Sequence, residues 1–240
     1  MKRILFKVFM ISMLIFLGSG FAFATPSLQL DIKDGVYYTS SSTPSINKES
    51  IVATTDPFDL YAYLIPDKDS TLTDDYYLSV AVLPPLKESA AGYSLGSFSV
   101  DGQPIVVTSD MFYGTPPVAL LPDGDLPTHS VFPTYFIEIS FNFDAADYSK
   151  VYNTQDDAGS GPMAYTSGDK MYYVPFAFDT RNLAAGYALH FDLYQLDTDS
   201  NIIEKAPFSH DANSQHVPEP GTLLLLGLGL VGLAGLRRKF

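Results

Sequence analysis

The side chains able to do chemistry here are few in kind: four histidines (His129, His190, His210 and His216), no cysteine, and a surplus of carboxylates, 22 Asp and five Glu. Glycoside hydrolysis needs two carboxyl groups facing each other across a cleft. Glu138 and Asp192 are the pair of interest, because each falls on the outward face of a predicted strand rather than in a turn. The competing reading is a pair of solvated strand charges, the ordinary condition of Asp and Glu. His190 and Asp192 share one strand face, and His210-Asp211 follow another strand by a few residues, so these groups could meet as a metal or polar site. Taken alone, His190 reads as a surface or hydrogen-bonded histidine. No two histidines stand i, i+4 and no HExxH is present, so no helix-borne zinc site is expected. A nucleophilic triad is not expected either.

For calcium, Asp197-Thr198-Asp199-Ser200-Asn201 has the opening D-x-D-x-N of an oxygen-ligand loop, which makes Asp197, Asp199 and Asn201 candidate Ca²⁺ ligands. Ile202 stands where such a loop needs Gly, and Phe208 where it needs an acid. It is therefore not an EF-hand, and a turn between two strands explains the segment equally well. No catalytic residue, no firm metal site and no required cofactor follow from these patterns.

The elements that would position these groups are strands. With 16 Tyr and 17 Phe, few Lys or Glu and no Trp, the composition suits pleated surfaces better than helices. Period-2 alternation puts Tyr135, Ile137, Ile139, Phe141 and Phe143 on one face, with Phe136, Glu138, Ser140, Asn142 and Asp144 on the other. Phe58, Leu60, Ala62 and Leu64, and then Tyr187, Leu189, Phe191 and Leu193, are inward faces by the same rule. Further strands are expected at residues 28–32, 36–38, 50–53, 76–82, 97–100, 105–108, 171–178 and 202–204. Asp34-Gly35 and Asp101-Gly102 read as hairpin turns. The stretch 114–128, with four prolines, and 155–168, rich in Asp and Gly, read as long surface loops. The class predicted is all-β, an antiparallel β-sandwich of jelly-roll or immunoglobulin-like kind. Roughly 190 residues suffice for one such core without disulfides.

Both ends read as targeting segments. Residues 1–24 carry Lys2, Arg3 and Lys7, an apolar stretch over 8–17 and the small residues Ala22 and Ala24, the layout of a signal peptide cleaved after Ala24. An uncleaved amino-terminal anchor is the alternative. Six of the 14 basic residues lie in the two ends and none of the 27 acidic ones does, if the body is taken as 25–222. The body then holds eight basic against 27 acidic groups, a net −19. So negative a body argues against nucleic acid and anionic lipid as partners.

At the other end, residues 223–236 are Leu, Val, Ala and Gly only, apolar all round, and are followed by Arg237, Arg238 and Lys239. As a helix this run spans about 21 Å against a hydrocarbon core of roughly 30 Å, a marginal single transmembrane anchor. The basic cluster holds its end in the cytoplasm and leaves the body outside. Ahead of it, Val217-Pro218-Glu219-Pro220 cannot be helical, since both prolines lack a backbone donor. Motif, short span and basic end together resemble the PEP-CTERM sorting signal, recognised by the membrane-embedded protease exosortase. The resemblance implies export, transient anchoring at the inner membrane, and cleavage within 217–222 that sends the body to the cell surface or exterior.

The domain plan is thus a signal peptide at 1–24, a β-sandwich at 25–208, a polar linker at 209–216 and the sorting signal at 217–240. Segments 127–143, 186–194 and 206–212 also resemble exported bacterial proteins of the choice-of-anchor N family, a likeness that implies no activity. The expected function is a non-catalytic cell-surface or extracellular-matrix protein. An exopolysaccharide partner would stack on exposed aromatics such as Tyr61, Tyr63, Tyr113 and Tyr194. The alternative is a secreted glycoside hydrolase-like enzyme on the same scaffold.

Overall fold

The structure, a computed structural model, describes residues 25–39 and 49–215. The predicted signal peptide, the sorting motif Val217, Pro218, Glu219 and Pro220, the apolar span and the basic end all lie outside these residues. Among the described residues no helix is long and apolar enough to cross a membrane.

The described residues form fourteen strands: β1 (Leu28–Ile32), β2 (Val36–Tyr38), β3 (Ser50–Val52), β4 (Phe58–Leu64), β5 (Tyr76–Leu83), β6 (Ser97–Val100), β7 (Gln103–Val106), β8 (Phe112–Gly114), β9 (Thr134–Phe141), β10 (Tyr148–Lys150), β11 (Lys170–Asp179), β12 (Ala188–Leu196), β13 (Ile202–Lys205) and β14 (Ala212–Asn213). One sheet runs β1-β4-β11-β6-β7, with β10 also paired to β11. The other runs β2-β3-β14-β12-β5-β9-β8, with β13 also paired to β12. Every pairing is antiparallel except β14 with β3.

The alternation seen in the sequence decides the core. Leu28, Leu30 and Ile32 of β1 and Phe58, Leu60, Ala62 and Leu64 of β4 meet Leu78 and Val80 of β5 and Leu189, Phe191 and Leu193 of β12 in one buried cluster. The two sheets therefore pack face to face. Phe191 of the second sheet lies 4.7 Å from Phe178 and 6.1 Å from Phe58 of the first, ring centre to ring centre.

Two local expectations are corrected and one holds. Asp34-Gly35 is not a hairpin turn, since β1 and β2 belong to different sheets and the turn carries the chain from one to the other. Asp101-Gly102 is a hairpin, with φ of 50° and 77° and Val100 facing Gln103. The strand expected at 105–108 is displaced to Gln103–Val106 by that tight two-residue turn.

The larger correction concerns the outer faces. The face of β9 and β12 expected to meet solvent is covered by the chain between β8 and β9. There Val118, Leu121, Leu126, Val131 and Phe132 pack on Phe136, Ala81, Leu83 and Tyr194. The proline-rich stretch 114–128 is therefore a lid on the second sheet as well as a surface loop. Likewise, segment 151–163 covers the first sheet, burying Tyr63 against Tyr152 and Met171. The segment read as a linker also enters the fold, for Asp211, Ala212, Asn213 and Ser214 are buried and β14 is inserted between β3 and β12.

Candidate functional site

The lid over the second sheet creates the one cluster of described residues whose ligand atoms stand close enough together to hold a metal ion: His129, His190, Asp192 and Asp211, all within 4.8 Å of one another. His190 and Asp192 are two apart on β12 and so point to the same outer face. Asp211 arrives because β14 pairs with β12, His190 facing Asn213 and Phe191 facing Ala212. His129 hangs from the lid just before β9, at a backbone with φ of 25° followed by Ser130 at 72°. Its ring stacks on Phe208 at 4.3 Å.

Contacts within the cluster are short. The Nε2 atoms of His129 and His190 are 2.8 Å apart. Asp192 Oδ1 is 3.4 Å from His129 Nε2, and Asp192 Oδ2 is 3.3 Å from His190 Nε2. Asp211 Oδ2 is 3.7 Å from His190 Nε2. The other ring nitrogens are engaged, His129 Nδ1 with the Pro127 carbonyl at 2.7 Å and His190 Nδ1 with Asn213 Oδ1 at 2.7 Å. Asp192 Oδ2 and Asp211 Oδ1 are buried without a hydrogen bond.

Electrostatics follow from burial and neighbours. Burial works against a charged His190, but Asp192 and Asp211 outweigh it and lift the ring above its ordinary value. Burial likewise works against the Asp192 carboxylate, and His190 and His129 pull it below the usual range. Asp211 is pushed up by burial and His129 pushed down by the same cause. A buried cationic ring beside a buried anion results.

Of the residues singled out in the sequence, His190, Asp192 and Asp211 do come together. His129 was missed as their partner, because 61 positions separate it from His190 and no local spacing signals the contact. His210 turns away, to Ser209 and to Asn153 Oδ1 at 2.9 Å. His216 lies outside the described residues. Glu138 and Asp192 both face Ser79 of the intervening β5, which separates their backbones by roughly 10 Å. They are not solvated strand charges: Asp192 is buried in the cluster, and Glu138, half-buried, accepts the Tyr194 hydroxyl.

Asp197, Asp199 and Asn201 lie in the exposed turn between β12 and β13. The Asp197 carboxylate is occupied there by the backbone N–H groups of Asp199 at 2.9 Å and Asn201 at 2.8 Å. Tyr63 and Tyr194 are buried, so these two rings do not offer the exposed sugar-stacking faces expected of them, and Tyr61 and Tyr113 are half-buried.

Gly92-Tyr93-Ser94-Leu95-Gly96 has the G-x-S-x-G spacing of a nucleophile elbow, against the expectation that no such site exists. That motif requires a strand-to-helix turn. Here a one-turn 3₁₀ segment precedes it and β6 follows, and His129, His190 and His210 are engaged elsewhere.

Residues 216–239 match the PEP-CTERM protein-sorting motif. A motif of this kind indicates exosortase-dependent sorting of an exported protein that is held at the membrane before cleavage. No match was found among curated proteins or among solved structures, so nothing supports the likeness of the body to the choice-of-anchor N family.

Proposed function

We propose that this chain is a non-catalytic β protein, passed through its C-terminal signal from the inner membrane to the cell surface or extracellular matrix, where it associates with exopolysaccharide. The observation that carries the reading is the position of the sorting motif, which begins at residue 216, two positions after Ser214, the last buried residue among those described. Cleavage within 217–222 removes none of the described core residues, so the two sheets are released together.

The two candidate catalytic acids are committed to neighbours. Glu138 is engaged by Tyr194 and Asp192 by the two histidines, which leaves neither free to act on a glycosidic oxygen. A groove of about 510 Å³ at the start of β11, lined by Tyr165, Lys170, Tyr172 and Asp169, supports the exopolysaccharide partner. Such a mixture of rings and polar groups suits sugar.

Expression of the full chain in a host supplied with exosortase, followed by mass spectrometry of extracellular material, tests the sorting. Chains ending within 217–222 are expected, and exported chains still ending at Phe240 would overturn the reading. On a glycan array, binding lost in Tyr165→Ala and Tyr172→Ala is expected, whereas turnover in a glycosidase screen would refute the non-catalytic assignment.

A further inference from the structure

We propose that His129, His190, Asp192 and Asp211 bind one divalent transition-metal ion of the Zn²⁺ class, which fastens the lid over the second sheet and the C-terminal segment to β12. A tetrahedral ion with N and O ligands at about 2.0–2.1 Å needs ligand atoms about 3.3 Å apart. The contacts of the two Nε2 atoms are 2.8, 3.4, 3.3 and 3.7 Å, those to Asp192 being made through its two different oxygens, and with one atom per residue all four lie within 4.8 Å of one another, so the carboxylates close by up to about 1.5 Å around an ion.

The Pro127 carbonyl only accepts, so His129 must carry its proton on Nδ1 and present a lone pair at Nε2. His190 Nδ1 faces Asn213 Oδ1, another acceptor, and so His190 also presents a lone pair at Nε2 when neutral. Two lone pairs 2.8 Å apart repel unless a cation lies between them, either a proton or a metal ion. Holding the remote nitrogen of a ligating imidazole by a carbonyl or amide oxygen is how proteins orient rings towards metals.

Asp211 Oδ1 lies in a nine-tenths buried residue without a hydrogen bond, and Asp192 Oδ2, equally buried and without one, has only the His190 ring at 3.3 Å, a costly condition for carboxylates. Two carboxylates and one divalent ion sum to zero charge, which removes that cost. Mixed imidazole and carboxylate donors at this spacing fit Zn²⁺ and its neighbours, whereas Ca²⁺ takes six to eight oxygens at about 2.3–2.6 Å. Four protein ligands leave no open position, so the ion is structural rather than catalytic.

The test uses the full chain purified in detergent, stripped with chelator and titrated with Zn²⁺ by calorimetry, with Co²⁺ as an optical probe. One Zn²⁺ per chain is expected, along with a rise in melting temperature and the intense visible absorption of four-coordinate Co²⁺. His129→Gln, on the lid, and Asp211→Asn should each abolish the Co²⁺ band. Asn213→Ala, removing an orienting partner, should weaken Zn²⁺ binding about 10–100-fold, and Asp197→Asn should leave it unchanged. Circular dichroism of each variant establishes that it is folded. No Zn²⁺ uptake by the folded wild-type chain would show that a proton alone occupies the cluster and would overturn the proposal. So would uptake that survives in folded His129→Gln and Asp211→Asn.

Discussion

Asp31 in β1 accepts a hydrogen bond from the backbone N–H of Gly161 at 3.0 Å, although 130 positions separate the two. The same carboxylate accepts Gly159 N–H at 2.8 Å and lies 3.1 Å from the Tyr152 hydroxyl, so one buried anion pins the segment that covers the first sheet. Gly159 has φ of +81°, and a Cβ there would stand 2.4 Å from the Gly35 carbonyl oxygen, which restricts the position to glycine. Despite its donors, Asp31 is pushed up to about 6 by burial.

A carboxyl whose folded pKa is raised contributes stability that is present below its unfolded pKa and lost as pH climbs through the folded one. For Asp31 that window runs from about pH 4 to 6. Urea unfolding at pH 4 and pH 7 should show wild type losing on the order of 2–3 kcal/mol more than Asp31→Ala across the interval. Equal slopes for the two proteins would contradict this account.

Tyr152→Phe removes a hydroxyl that also lies 2.9 Å from the Tyr63 hydroxyl and 3.0 Å from the Gly161 carbonyl oxygen. A loss of about 1–3 kcal/mol is expected. Because that hydroxyl helps to hold Asp31 down, the Asp31 titration, followed by NMR of its carboxyl carbon, should move to higher pH.

Phe191 is fully buried and is the ring by which β12 meets Phe58 and Phe178 of the opposite sheet. Phe191→Ala should cost about 3–5 kcal/mol in chemical denaturation. Tyr93→Ala, at a ring 62% exposed, should change stability by less than about 0.5 kcal/mol.

Truncation separates fold from tail. A chain ending at Gln215 should unfold at the same urea concentration as the full chain. One ending at Phe208 loses β14, together with the Ser214 hydroxyl that accepts Leu189 N–H at 2.7 Å, and should lose more than about 4 kcal/mol.

Some of this was written locally in the chain. The inward stripe Phe58, Leu60, Ala62 and Leu64 and the tight Asp101-Gly102 hairpin could be read residue by residue, because side-chain direction in a strand and backbone handedness in a turn depend only on near neighbours. The sorting motif is equally local, a peptide meant to be recognised as sequence. The outer faces were not legible. Phe136, Ala188 and Tyr194 on the supposedly wet face, and Val118, Leu121 and Leu126 in the supposedly wet loop, were signals that each needed the other to be understood. Only the tertiary structure decided that the lid closes on β12 and that β14 inserts beside it. Burial of His190 and Asp192, and their meeting with His129 and Asp211, are consequences of that long-range packing, and no spacing along the chain encodes them.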